Sequence, residues 1–154
     1  PYPSQAEMGG FGRVLFHARE YWPDYMSCVL VVRQDLIDSR PAVVQTLVDG
    51  VARSGLWLQA GKPYREYAAE FVGRYYFNQP PALLKWALTK PIDRVMYQPL
   101  SPRQPDFDLV QDLMIESGVL SRKMPFAEYV DVRFAEAAQH QTRWKFEPGD
   151  ERVK

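Results

Sequence analysis

The sequence predicts an α/β fold that is mostly helical, with two or three short strands. Three observations carry this reading. Cys28 to Val32 is a run of five apolar residues, rich in β-branched side chains and bounded by polar ones, as in a strand buried on both faces. Pro41 then opens a long amphipathic stretch. Elsewhere the apolar residues recur at helical rather than alternating spacing. A strand of this kind belongs to layers in which helices cover a sheet, yet the chain offers few other strands to pair with it.

The elements follow in order. Ser4 to Gly10 reads as a short helix stopped by Gly9-Gly10. Arg13 to Phe16 reads as a short strand, and His17 to Tyr25 as an aromatic, charged connection broken at Trp22-Pro23. Ser27 to Arg33 is the buried strand, and Asp35 and Asp38 are turn and cap residues. Pro41 suits the first turn of a helix, and Val44, Leu47, Val48, Val51 and Leu58 share one face of it. Gly50 and Gly55 each weaken that helix by about 1 kcal/mol relative to alanine, and Gly61 with Pro63 ends it.

A second long helix places Tyr64, Tyr67, Ala68, Phe71, Val72 and Tyr75 inward. Asn78 to Pro81 breaks it, and a third helix covers Ala82 to Leu88. Residues 89–105 carry four prolines and read as irregular, with a possible third strand at Arg94 to Tyr97. Asp106 opens a fourth helix that turns Phe107, Val110, Leu113 and Met114 inward and stops at Gly118. A last helix is expected over Phe126 to His140, followed by a frayed polar tail from Lys145.

Composition narrows the function classes. With 154 residues, 46% of them hydrophobic and 14% aromatic, the chain can form a core and is not of the disordered type. Nineteen basic residues balance nineteen acidic ones, so no cationic excess points to nucleic acid. The one cysteine rules out an intrachain disulfide, and no apolar run reaches the roughly 18 residues that span a bilayer. The chain starts Pro-Tyr-Pro and is expected to be a segment of a longer protein.

Catalytic and metal patterns are missing from the sequence. There is no Walker A loop, dinucleotide fingerprint, GxSxG or HExxH. Cys28 reads as a small hydrophobe within the strand. His17 and His140 have no metal-ligand spacing, and His140 is expected near a helix C-terminus, where a cation is favoured. Asp106, Asp108 and Asp112 read as a solvated acidic helix face, and Trp22, Trp57 and Trp86 as packing anchors. No cofactor and no metal is expected, and the chain is read as non-enzymatic.

Four pieces carry a family resemblance: PYPSQAEMGGFGRVL, EYWPDYMSCVLVVRQDLIDSRPAVVQTLVDGV, DRVMYQPLSPRQPDFDLVQDLMIESGVL and EYVDVRFAEAA. In this order and spacing, residues 1 to about 138 resemble the C-terminal half of an ABC-importer solute-binding protein. The branch is that of the nitrate, sulfonate, taurine and thiamine-pyrimidine binders. The resemblance implies a two-lobed receptor of the periplasmic-binding-protein type 2 fold, of which this chain is the C-terminal part. Residues 1–26 would end the second lobe, 27–144 would form a return strand and helices packing on the first lobe, and 145–154 a polar tail.

The implied partners are a small-molecule ligand, the membrane permease and the remaining lobe of the same protein. The implied location is periplasmic or extracytoplasmic. In that picture Tyr2, Pro3, Ser4 and Gln5 are the ligand-binding residues, where a loop enters a helix whose free N–H groups favour an anion. The plainer reading makes Ser4 the cap of an ordinary helix. Two further alternatives stay open. One is a pyrimidine-synthase-like enzyme on the same fold, although the cysteine-rich motif of the fungal enzyme is absent here. The other is a helical interaction module that binds a protein through its aromatic face.

Overall fold

The computed structural model describes residues 2–23 and 25–139. Among them the chain is helical and contains no β-strand. The elements are α1 (Tyr2–Met8), α2 (Ala18–Tyr21), α3 (Gln34–Ser39), α4 (Pro41–Gln59), α5 (Lys62–Val72), a π-helical turn (Gly73–Phe77), α6 (Pro81–Thr89), α7 (Gln104–Glu116), a 3-10 turn (Phe126–Glu128) and α8 (Arg133–Gln139).

The α/β expectation is therefore overturned, and with it the periplasmic-binding-protein type 2 sheet. Arg13 to Phe16, Ser27 to Arg33 and Arg94 to Tyr97 are irregular or bent rather than strands. A strand exists only with a partner ladder, and these segments find none. Among the described residues, no backbone hydrogen bond is made by residues 26–32. The run read as buried lies in water instead, with Val31 84% exposed and Val29 and Leu30 more than half exposed. Cys28 is exposed with it.

The described chain divides into two compact units. The first comprises residues 2–17 and 53–99. In it α5 packs on α6 and α1 packs on α6. Gly61, at φ +143°, makes the turn from α4 into α5, and Pro63 occupies the first turn of α5, where its missing N–H is harmless. The buried stripe of α5 is Arg65 and Ala69, continued by Gly73 at the start of the π turn, spaced four apart. The aromatic face expected to be core is turned outward, with Tyr67, Phe71 and Tyr75 exposed. At Gly73 only a small residue fits, because the chain leading into α6 comes close. A Cβ on Gly73 would stand 2.9 Å from the Gln79 carbonyl oxygen and 3.2 Å from Leu84 Cδ1. Asn78, in the left-handed region at φ 45°, ends the π turn, and Pro81 starts α6.

The aromatic rings pack on each other at the surface. Trp57 meets Tyr64 and Tyr67 edge-on, with ring centroids 5.4 and 5.8 Å away. Phe71 meets Tyr75 at 5.2 Å and Tyr76 at 5.7 Å.

The second unit comprises residues 18–52 and 100–139. Its buried apolar side chains are Val44, Phe134 and Ala138. Leu47 and Val51, expected beside Val44 in the core, remain half-exposed. Gln45 links α4 to α8 by donating to the Phe134 carbonyl oxygen at 3.0 Å. Helix α3, read as a turn from its two aspartates, is separated from α4 by Arg40 alone, whose amide closes onto the Leu36 carbonyl. Helix α7 ends at Glu116, Gly118 follows at φ +74°, and the amides of Val119 and Leu120 return to the Met114 carbonyl. The single last helix expected from Phe126 resolves into the 3-10 turn and α8. His140 and the tail from Lys145 lie outside the described residues.

Candidate functional site

Helix α1 carries the four residues expected to bind a ligand. Tyr2 opens the helix, so Ser4 is its third residue and not its cap. The seven-residue helix turns Tyr2, Pro3 and Gln5 to solvent and buries Ser4, which is 1% exposed. The Ser4 hydroxyl accepts a hydrogen bond from Nη1 of Arg94, a residue of the turn region that follows α6.

One turn along α1, on the same side as Ser4, the Glu7 carboxylate collects three donors. Arg94 Nη2 donates to its Oε2 at 3.1 Å and Trp86 Nε1 to the same oxygen at 3.3 Å. The Val14 amide also donates to it. The Arg94 hydrogen bond is the largest influence on Glu7 and holds its carboxyl below the ordinary value. Burial pushes the other way, and the Trp86 and Val14 donors add to the lowering. Arg94 Nε is buried and has no partner among the described residues. The resulting constellation of Ser4, Glu7, Trp86 and Arg94 is electrically neutral. It fixes α1 on α6 and leaves Tyr2 and Gln5 on the exposed side of the helix. Glu7, kept ionised and hydrogen-bonded, is poorly suited to proton transfer.

A second polar cluster was not anticipated from the sequence. Arg65 is 2% exposed and is the largest fully buried side chain described. Its Nε donates to the Leu58 carbonyl at 3.0 Å. Nη1 donates to the Leu88 carbonyl at 3.1 Å and to the Ile92 carbonyl, and Nη2 reaches Gln59 Oε1 at 3.3 Å. Leu58 and Leu88 lie in the last turns of α4 and α6, whose carbonyls have no partner within their own helices. Two helix C-termini, each the negative end of a helix dipole, therefore converge on one cation. No carboxylate is paired with Arg65 among the described residues. The Tyr97 ring lies 5.3 Å from its guanidinium carbon, and Gln59 Oε1 also accepts from the Tyr97 amide at 3.1 Å. Burial raises the Tyr97 phenol, against the opposing effect of Arg65. This arrangement engages all three guanidinium nitrogens within the fold, so its role is to join helix ends.

The remaining candidates stay apart. Asp35 is forked by Arg33, Asp38 accepts from Gln34, Asp106 is forked by Arg103 and Asp112 pairs with Lys123 at 2.7 Å. Each aspartate is answered by a neighbouring donor, and His17 is half-buried in the first unit. Among the described residues, no group of three or more His, Cys, Asp or Glu side chains could hold a metal ion. No described helix is long and apolar enough to cross a membrane.

Residues 1–73 match the family model of the NMT1-like family. The match runs from the start of the chain, through the four predicted ligand residues and Glu7, to the buried Gly73 at the end of α5. Trp86 and Arg94, which complete the cluster around Glu7, lie beyond it. No curated protein and no solved structure matches the chain.

Proposed function

We propose that the chain is part of a solute-binding receptor of an ABC importer, working outside the cytoplasmic membrane. It would capture a small organic or anionic solute between two lobes and present it to the membrane permease. The observation that supports this reading is the NMT1-like match over residues 1–73, together with the resemblance of the four sequence pieces. The placement of α1 agrees with it. Ser4 and Glu7 anchor the helix, while Tyr2, Pro3 and Gln5 are left exposed next to a rigid support. The protein would act by binding and not by turnover, with the solute shifting an open–closed equilibrium.

The test is thermal unfolding of the full-length gene product with nitrate, taurine and the hydroxymethylpyrimidine of thiamine, each at about a hundred times a trial Kd. A bound solute would raise Tm by roughly 5 °C or more at that excess. The double substitution Tyr2→Ala and Gln5→Ala should abolish the rise while leaving the unliganded Tm within about 2 °C, because both side chains are exposed. Absence of any shift across the three solutes counts against this reading.

A second reading is a helical protein-interaction module. The observation favouring it is the exposed aromatic face of α5 and the π turn, Tyr67, Phe71 and Tyr75, within a described chain that is helical and has no strand. A module of this kind would ignore all three solutes.

A further inference from the structure

We draw no further inference here: the strongest candidate, the exposed apolar segment 28–32 between α2 and α3, whose backbone makes no hydrogen bond among the described residues, carries nothing because nothing in the structure shows what covers it.

Discussion

Gln111 grips the backbone of Met124 with both ends of its side-chain amide. Its Oε1 accepts from the Met124 N–H at 2.6 Å, and its Nε2 donates to the Met124 carbonyl at 3.1 Å. The same nitrogen donates to the Tyr129 hydroxyl at 3.0 Å. One buried residue of α7 thus holds the chain that leads into the 3-10 turn, where Phe107, Phe126 and Tyr129 pack at centroid distances of 5.4 to 6.1 Å. Gln111→Leu fits the volume but leaves both Met124 groups without this partner. It should cost about 1–2 kcal/mol, read as a lower midpoint in urea with an unchanged slope. Gln111→Glu should be at least as damaging, because a carboxylate can accept from the amide but cannot donate to the carbonyl. Full stability in both variants would show that the grip is dispensable.

Replacing Arg65 should be the more severe change. Arg65→Met keeps the stem and removes the donors, leaving the part-buried Leu58, Leu88 and Ile92 carbonyls without this partner. The expected loss is about 3 kcal/mol. Arg65→Lys retains the charge but offers no planar fork, so it should recover less than half of that loss. Equilibrium denaturation of the three proteins checks the ordering.

Gly73→Ala tests the close approach of the π turn to α6. The added methyl would press on the Gln79 carbonyl oxygen, a backbone atom that cannot swing aside. A loss of about 1–3 kcal/mol is expected from overpacking. Gly50→Ala is the control: its Cβ would meet nothing within 4 Å, so that substitution in α4 should be neutral or stabilising.

Acid should weaken the attachment of α1. The folded-state value of Glu7 lies below its ordinary value of 4.5. Its contribution is therefore complete above that ordinary value and is lost as the pH falls through the lower folded value. Between about pH 5 and pH 3 the parent protein should lose more stability than Glu7→Gln does. Parallel pH dependences in the two proteins would remove Glu7 as a source of acid sensitivity.

Helices were legible in the sequence where a proline or glycine punctuated them. Pro41, Pro81 and Gly118 sit at or beside the ends they suggest, whereas Pro63, read as ending α4, lies in the first turn of α5. The inward face of α5 was not legible, because hydrophobicity ranks Tyr67 and Phe71 above Ala69 and Gly73, whereas close packing against α6 selects for small size. Nor could periodicity reveal that Arg65 would be buried, since its partners are main-chain carbonyls distant in sequence. The Cys28–Val32 run has the composition of a strand, but composition cannot provide the ladder partner that makes one. At α1, sequence marked Tyr2 to Gln5 and missed Glu7, Trp86 and Arg94, which meet only through the packing of α1 on α6.

The backbone of residues 26–32, which makes no hydrogen bond among the described residues, has a kinetic consequence. Amides that donate to no carbonyl among the described residues need no opening event before they exchange with solvent, and an exposed stretch without such bonds can enter the cleft of an endopeptidase. Deuterium should therefore enter this stretch at close to the unstructured rate while α4 stays protected. Chymotrypsin or thermolysin at low dose should make an early cut near Leu30 in the native state. The apolar side chains that suggested the best-protected part of the protein would then mark the place where it is first severed.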